Sequence, residues 1–225
     1  MHGRGLKIFR HYKHIASEFY SGKVFVAFDT ETTGLHSATD YLMEIGAVKF
    51  NMEGTIGEPF SSLIKPPVPI NDFLQKLTHI TPQMLENQSD ASTVTFNFLR
   101  WISSDDAILI AHNAPFDMYF INAQLERMNM EPLKNTVIDT LPLSRWAYPK
   151  LNQNGLEGQY KLQNLASLFH IPVFEAHRAL DDARVCMELF KRIISDTLPV
   201  QKDLPPLAQS KKILTPSPDG QLQLF

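Results

Sequence analysis

The sequence has little cysteine and no long apolar run. These two features exclude several kinds of protein and of metal site. Among its 225 residues there is one cysteine, Cys186, which excludes an intramolecular disulfide and a metal cluster held by cysteines. The longest apolar runs, at residues 24–28 and 107–111, are far shorter than the roughly 20 residues that cross a bilayer. The start of the chain also lacks an apolar segment followed by a small-residue cleavage site. We therefore expect a cytoplasmic protein with no membrane contact.

Positive charge is scarce in the central part of the chain. The formal net charge is −3, from 21 Lys and Arg against 24 Asp and Glu, and the excess of acid lies in residues 24–197. Residues 1–23 instead hold five bases and one acid. An acidic body does not attract phosphate through a basic surface. A nucleic-acid partner would therefore need metal ions at the contact or a local basic patch.

The hydrophobic pattern predicts one large domain between two short segments. Residues 1–22 are predicted to form a basic amphipathic helical extension, which either packs on the body or contacts a nucleic acid or a partner. Residues 23–197 begin with strands in a meander and continue with helices alternating with strands, which indicates an α/β fold around one mixed sheet. Residues 198–225 lose periodicity and hold five of the 15 prolines, so we expect an extended or disordered tail.

The boundaries of the predicted elements follow from apolar runs, turn residues and helix caps. The predicted strands cover residues 24–28, 43–52, 59–64, 107–111 and 136–139, with a hairpin turn at 53–54. The predicted helices cover residues 6–20, a segment that begins at Thr81-Pro82, and residues 92–103, 115–128, 162–169 and 179–195.

Acidic residues lie where several of these elements begin or end. Asp29 and Glu31 end the first strand, and the period of two places both carboxylates on one face. Asp117 follows the second buried strand, and Asp182 lies near the start of the last helix, five residues after His177. Each alone has an ordinary explanation: a strand end that meets solvent, an acid that favours the helix dipole, or a solvated loop histidine.

The combination of these residues points to metal-dependent chemistry. Acidic residues come from three separate elements, and a histidine that can change its charge near neutral pH accompanies them. Carboxylate oxygens without cysteine favour Mg²⁺ or Mn²⁺ over zinc. Four acids could hold two such ions, which would activate water and stabilise an in-line displacement at phosphorus.

Three motifs resemble those of the DEDDh, or DnaQ-like, 3′-to-5′ exonucleases, which have a ribonuclease H-like fold. The motifs are Asp29-Thr30-Glu31-Thr32-Thr33-Gly34, His112-Asn113-Ala114-Pro115-Phe116-Asp117 and His177-Arg178-Ala179-Leu180-Asp181-Asp182-Ala183. They occur in the order of the family, and the resemblance covers residues 24–195. It implies a ribonuclease H-like mixed sheet flanked by helices.

The same resemblance implies roles for individual residues. The metal ligands would be Asp29, Glu31, Asp117 and Asp182, with Asp29 bridging two Mg²⁺ or Mn²⁺ ions, and His177 would be the general base. Asp181 falls at a position where the family tolerates other residues. The residues expected to contact the terminal nucleotide are Thr32, Gly34, Leu35, Asn113 and Phe116. The implied activity removes nucleotides from single-stranded or frayed DNA 3′ ends, as in proofreading by a bacterial replicase, whose polymerase would then be a partner.

The end of the chain carries a second resemblance. The run Gln221-Leu222-Gln223-Leu224-Phe225 is similar to the pentapeptide that binds the bacterial sliding clamp, and it departs only at the middle position. Leu224 and Phe225 would fill an apolar groove while the amide of Gln221 fixes the orientation. The alternative is a frayed end with a few apolar residues.

Other functions stay open at this point. The same site could trim RNA 3′ ends, because the motifs do not show whether the pocket accepts a 2′-hydroxyl. The chain could also be a clamp-tethered binding module without catalysis, although the complete set of candidate ligands argues against that. Both a polymerase subunit and a free-standing nuclease are compatible with the motifs.

Overall fold

A mixed sheet of six strands forms the centre of the fold. The computed structural model describes residues 12–103, 106–152 and 158–197. The strands are β1 (Phe25–Thr32), β2 (Leu42–Asn51), β3 (Gly54–Thr55), β4 (Phe60–Leu63), β5 (Ile108–Ala111) and β6 (Val137–Asp139). Their order is β3-β2-β1-β5-β6, with β4 also paired to β2. Strands β1 to β4 pair antiparallel, whereas β5 runs parallel to both β1 and β6. The predicted mixed sheet is confirmed.

Eight α-helices flank the sheet in the described residues. They are α1 (Tyr12–Tyr20), α2 (Asp72–Thr78), α3 (Pro82–Leu85), α4 (Ala91–Ile102), α5 (Ala114–Arg127), α6 (Thr140–Ala147), α7 (Leu162–Phe169) and α8 (Ala179–Thr197), with a 3-10 helix at Pro149–Asn152. Side-chain caps begin four of them, because Asn71, Thr81, Asp90 and Asp139 each accept a hydrogen bond from a backbone N–H of the first turn. The sequence patterns described above do not predict helices α2 and α6. Among the described helices, none is long and apolar enough to span a bilayer.

Strand β1 is buried on both faces, as its continuous apolar run predicts. Phe25 belongs to a core beneath α1 and α8, where its ring centroid lies 5.7 Å from that of Phe19 and 5.3 Å from that of Phe190. Val26 and Phe28 point to the other face and pack in a second core with α4 and α5. The sheet therefore separates two hydrophobic cores.

Helix α1 packs on the body through its apolar side. Ile15, Ala16 and Phe19 are buried in the same core as Phe25. Packing on the body is the first of the two alternatives for the N-terminal helix, and it holds for the described part of that helix. The predicted start at residue 6 and the whole predicted tail at 198–225 lie outside the described residues.

The segment after β2 differs from the predicted simple hairpin. Met52 and Glu53 form the turn, and Gly54 opens the two-residue strand β3 with a φ of 145°. The chain then leaves the sheet and returns as β4, which pairs with residues 44–47 of β2. Gly57, with a φ of 65°, and Pro59, which lacks a backbone N–H, interrupt the ladder between the two short strands.

Candidate active site

The end of β1 extends beyond its neighbour β5. β1 pairs with β5 only over residues 25–27, whereas its pairing with β2 continues to Thr32. Asp29 and Glu31 are partly exposed, while Thr30 and Thr32 between and after them are buried. The two carboxylates therefore share one face of the strand, as their spacing predicts. They lie where the sheet opens at the carboxyl end of β5.

Asp117 occupies the free edge of this overhanging strand. It lies in the first turn of α5 and is 2% exposed. Its Oδ1 accepts a hydrogen bond from the backbone N–H of Thr30 at 2.9 Å and another from the Thr30 hydroxyl at 2.8 Å. A side-chain carboxylate thus satisfies the strand N–H beyond the last residue pair with β5. This contact fixes Asp117 beside Asp29 and Glu31.

The start of α8 brings the remaining candidates to the same place. Asp182 is 7% exposed, and its Oδ1 accepts a hydrogen bond from the Gln163 side chain at 2.5 Å. His177 is exposed and has a φ of 60°, in the left-handed region. One oxygen of Glu31, one of Asp182 and one imidazole nitrogen of His177 lie within 4.8 Å of one another. The structure therefore brings together residues that are up to 151 positions apart.

The acids on β1 bind protons more tightly than ordinary carboxyl groups do. Burial raises the pKa of Glu31 to about 9, and the charges of Asp182 and Glu44 add to this effect. The pKa of Asp29 is raised well above its usual value by burial and then by the charges of Asp117 and Glu31. Like charges this close favour the neutral forms unless a cation compensates them.

The acids on the helices are perturbed less because hydrogen-bond donors face them. Burial raises the pKa of Asp117 to about 7, and the two hydrogen bonds from Thr30 oppose the increase. Burial also raises the pKa of Asp182 to about 6, opposed by His177 and Gln163. Four crowded carboxylates fit hard divalent cations, which take oxygen ligands. The donor set of the site is thus suited to a metal such as Mg²⁺.

Comparison with known proteins identifies the family. The family model described as RNase_T, exonuclease, matches residues 26–190. This span includes both acids of β1, both acids of the helices and His177. The chain belongs to the RNase_T exonuclease family. The predicted family is confirmed, and the protein is a nuclease of a metal-dependent family.

Relatives of this exonuclease include a DNA polymerase III subunit and PolC-type DNA polymerases III. The DNA polymerase III subunit epsilon of Treponema pallidum is 43% identical over 188 residues, which are 84% of this chain and 80% of the relative. The PolC-type DNA polymerase III of Bacillus subtilis is 36% identical over 175 residues, which are 77% of this chain but 12% of that polymerase. These relatives support the predicted 3′-to-5′ exonuclease function.

Solved structures of exonuclease I share the fold of this exonuclease. The crystal structure of E. coli exonuclease I in complex with a dA16 oligonucleotide matches with a TM-score of 0.67 and 22% identity, over 78% of this chain and 41% of that chain. A further exonuclease I structure matches with a TM-score of 0.69 and 21% identity, over 78% of this chain and 41% of that chain. The ribonuclease H-like fold predicted from the motifs is confirmed.

The residues predicted to contact the terminal nucleotide have several different environments. Leu35 is 78% exposed, and Phe116 packs against Phe120 with ring centroids 5.0 Å apart. Thr32 donates its hydroxyl hydrogen to the carbonyl of Gly34 at 2.6 Å. A Cβ at Gly34 would lie 2.3 Å from the carboxylate of Asp40. A side chain at position 34 would therefore displace the Asp40 carboxylate, which accepts a hydrogen bond from the backbone N–H of His36 at 2.8 Å. Close approach of the Gly34 backbone to a ligand stays a prediction.

A cavity of about 1020 Å³ opens beside His177 and Asp182. Asn113, with a φ of 69°, lines it at the start of α5, and its backbone N–H donates to Asp139 at 2.9 Å. Arg145, Tyr160 and Lys161 also line the cavity. The guanidinium of Arg145 lies 5.8 Å from the centroid of the Tyr160 ring. Two cations and an aromatic ring thus stand next to the acidic cluster.

Sequence reasoning missed several residues around the site. Glu44 is 1% exposed within β2 and forms an ion pair with Arg178. Gln163, which contacts Asp182, lies in a stretch that the resemblance includes but to which it gives no role. A charged residue inside the apolar run of β2 is the one signal that could have drawn attention to Glu44.

Asp181, at a position where the family tolerates other residues, accepts hydrogen bonds at 2.7 Å from the backbone N–H groups of Phe174 and Glu175. It therefore holds the loop before α8 and does not join the acidic cluster through these contacts. The candidate clamp-binding residues Gln221, Leu222, Leu224 and Phe225 lie outside the described residues.

Proposed function

We propose that this exonuclease removes nucleotides from the 3′ end of single-stranded or frayed DNA as the proofreading activity of a bacterial replicase. In this proposal Asp29, Glu31, Asp117 and Asp182 hold two Mg²⁺ or Mn²⁺ ions, and His177 is the general base. The observation that carries it is the convergence of one oxygen each of Glu31 and Asp182 with an imidazole nitrogen of His177. The T. pallidum epsilon subunit is a relative over most of its own length.

The acids would bind metal rather than substrate directly. Without cations, the carboxylates of β1 would repel a phosphodiester, and their pKa values are raised by burial and then by the neighbouring negative charges. When bound, the ions would supply Lewis-acid stabilisation of the charge that develops on the phosphoryl oxygens. The chain contributes the fixed positions of the four carboxylates, which it holds through Thr30, Gln163 and the β1–β2 pairing.

His177 would take the proton of the attacking water. Its imidazole is exposed and lies beside Glu31 and Asp182, so a water molecule next to the acids is within its reach. The water oxygen would attack the terminal phosphorus, the bond to the 3′ oxygen of the preceding nucleotide would break, and a nucleoside 5′-monophosphate would leave. A histidine is suited to this role because it changes its protonation state near neutral pH.

The cavity beside the site would accept the substrate strand. Arg145 and Lys161 supply the local basic patch that an acidic body needs to hold phosphates. The exposed Leu35 offers apolar surface to a terminal base. A pocket for one unpaired nucleotide favours mismatched ends, because unstacking and unpairing a matched end costs a few kcal/mol.

The C-terminal pentapeptide would recruit the enzyme to a sliding clamp. Gln221, Leu222, Leu224 and Phe225 supply the side chains that resemble the clamp-binding motif. A peptide of this length has few anchoring side chains and binds weakly by itself. A tether nevertheless raises the local concentration of the active site near the primer end.

Digestion of matched oligonucleotides tests the proposed reaction. DNA and RNA of one sequence, labelled at the 5′ end, are incubated with the full chain and Mg²⁺, and with EDTA in place of Mg²⁺. We expect DNA to shorten stepwise from the 3′ end only with Mg²⁺, and a frayed end to shorten faster than a paired one. Faster digestion of RNA, release of the 5′ label as the first product, or equal activity in EDTA would contradict the proposal.

A further inference from the structure

Strand β2 carries a buried carboxylate that faces the start of α8. Glu44 is 1% exposed, although most of its neighbours in β2 are apolar. It accepts hydrogen bonds from Arg178 Nη2 at 2.9 Å on Oε1, and from Arg178 Nε at 3.1 Å and the Ala179 backbone N–H at 3.0 Å on Oε2. A buried charge persists only when it is paired in this way. One carboxylate therefore anchors the two residues that follow His177.

A glycine on the same face of β2 lets this junction close. A Cβ at Gly46 would lie 2.0 Å from the backbone nitrogen of Leu180 and 2.2 Å from the carbonyl carbon of Ala179. Real Cβ atoms do not approach backbone this closely, so only glycine allows the first turn of α8 to press on the strand. Glu44 and Gly46 thus define the position of α8 by a charge pair and by close contact.

The backbone of His177 has an unusual conformation, and contacts on both sides of it hold that conformation in place. Its φ of 60° is unfavourable for a residue with a side chain, and such geometry persists where neighbouring contacts hold it. On the C-terminal side, Arg178 and Ala179 are bound to Glu44. On the N-terminal side, Asp181 binds the backbone N–H groups of the loop at residues 174–175. The imidazole is therefore carried by a short segment fixed at both ends.

We propose that Glu44 and Arg178 are positioning residues that hold the imidazole of His177 beside Glu31 and Asp182. The inference rests on the proposed role of His177 as the general base. Arg178 turns its guanidinium toward Glu44 and acts through the backbone of its neighbour, so it is not assigned a contact with substrate. The bidentate fork explains why a planar guanidinium is needed here, since an ammonium group cannot make the same pair of hydrogen bonds.

A second route from Arg178 to the site passes through Glu31. Glu44 is the cross-strand partner of Glu31, and the charge of Arg178 lowers the pKa of Glu31 while that of Glu44 raises it. Loss of Arg178 could therefore weaken metal binding instead of displacing His177. The two routes differ in their dependence on Mg²⁺ concentration, and the experiment separates them on that basis.

The experiment uses the full chain with Arg178→Ala, Arg178→Lys and Glu44→Gln, each alone, and Arg178→Ala combined with His177→Ala. Arg192→Ala is the matched control, because it removes another ion pair of α8 that is formed with Asp196 at 2.7 Å. The kcat and KM are measured on 5′-labelled single-stranded DNA over a range of Mg²⁺ concentrations. Melting in EDTA shows whether each variant is folded. If Glu44→Gln does not fold, Arg178→Ala still tests the proposal.

We expect Arg178→Ala to lower kcat about 10- to 100-fold, the usual cost of a misplaced catalytic group, with little change in KM for DNA. Arg178→Lys should recover part of this loss, and Arg192→Ala should retain the activity of the wild type. In the His177→Ala background, Arg178→Ala should cause no further loss, because both substitutions act on the same group. In EDTA, the imidazole NMR signal of His177 should shift in Arg178→Ala and stay in place in Arg192→Ala.

Four results would overturn the positioning role. These are an unchanged kcat in Arg178→Ala, an equal loss from Arg178→Ala in the His177→Ala background, an unchanged imidazole signal, and full recovery of kcat at high Mg²⁺, which would indicate the route through Glu31. The proposed function fails in a different way. If His177→Ala itself keeps the wild-type kcat, the general base is assigned wrongly, whereas a slow His177→Ala beside a fast Arg178→Ala overturns the positioning role alone.

Discussion

Replacement of Asp117 by asparagine should abolish DNA hydrolysis and stabilise the metal-free protein above neutral pH. The Oδ1 atom of Asp117 accepts hydrogen bonds from the N–H and the hydroxyl of Thr30 at 2.9 and 2.8 Å. An asparagine oxygen can accept both of them, so Asp117→Asn removes the charge and keeps the contacts. The side chain is 2% exposed, and burial raises its pKa to about 7.

The direction of the pH dependence follows from proton binding. An aspartate in the unfolded chain ionises near pH 4, as expected for a reference carboxyl group at about 3.9. Folded Asp117 keeps its proton up to about pH 7. Between these values the folded state binds more protons than the unfolded state, so the free energy of unfolding of the wild type falls as the pH rises. The free energy of unfolding of the asparagine variant does not fall for this reason, because asparagine does not ionise.

The size of the stabilisation follows from the difference between the pKa values of Asp117 in the folded and unfolded states. A difference of about three pH units at 1.36 kcal/mol per unit corresponds to on the order of 4 kcal/mol. The neighbouring acids change their own protonation when one charge is removed, which makes the effect smaller. We therefore expect a stabilisation of about 2 to 4 kcal/mol at pH 8 and little difference near pH 4. Added Mg²⁺ should then stabilise the wild type more than the variant, because the variant lacks a ligand.

Urea unfolding in EDTA at the two pH values measures this difference. Asp72→Asn is the matched control, since Asp72 is also an acid in the first turn of a helix but is exposed. Its replacement should cost a few tenths of a kcal/mol at both pH values, about the contribution of an exposed acid to the helix dipole. Lower stability of Asp117→Asn than of the wild type at pH 8, or hydrolysis at the wild-type rate, would refute the reasoning.

Three further predictions concern the base, the strand junction and the tail. His177→Ala should lower kcat by about 10² to 10⁴ while Mg²⁺ affinity is retained, measured by turnover and metal titration; a fall in Mg²⁺ affinity with recovery of the rate at saturating metal would make it a ligand. Gly46→Ala should destabilise by about 1 to 3 kcal/mol or more in urea unfolding, because its Cβ would meet the backbone of Leu180, and an unchanged midpoint would contradict the contact. A chain stopped after Gly220 should lose binding to its own organism's clamp and clamp-dependent stimulation, yet digest free oligonucleotide normally; equal clamp affinity would show that residues 221–225 have no role.

Much of the fold follows from short-range patterns in the sequence. The apolar run that becomes β1, the cap at Thr81 and the periodic spacing in α7 and α8 are local signals, and the corresponding elements form. Helix α2 has a cap at Asn71 but no buried apolar side chain, because Phe73 and Leu77 on it are exposed and only Thr78 is buried. Helix α6 begins directly where β6 ends, because Asp139 is both the last residue of the strand and the cap of the helix, so no turn residues separate the two elements in the sequence.

The sequence indicates which acids and which histidine lie together, but it does not indicate the residues that hold them in place. Asp29 and Glu31 share a face by strand periodicity, and the ordered motifs indicate which distant acid joins them. The partner of Glu44 is 134 positions away, and no local pattern relates a charge in β2 to Arg178. The hydrogen bonds that hold Asp117 likewise depend on β5 ending before β1, which only the folded sheet determines.

The single cysteine offers a chemical reporter of how the layers of this enzyme separate. Cys186 is 1% exposed on α8, and its sulfur lies 3.6 Å from the hydroxyl of Thr140. Burial raises the pKa of its thiol, and reaction with disulfide or alkylating reagents requires the thiolate in contact with solvent. The rate at which such a reagent consumes the thiol of the native chain therefore measures how often α8 lifts from the sheet. Because α8 also carries Asp182, this rate reports the integrity of the acidic cluster without any substrate.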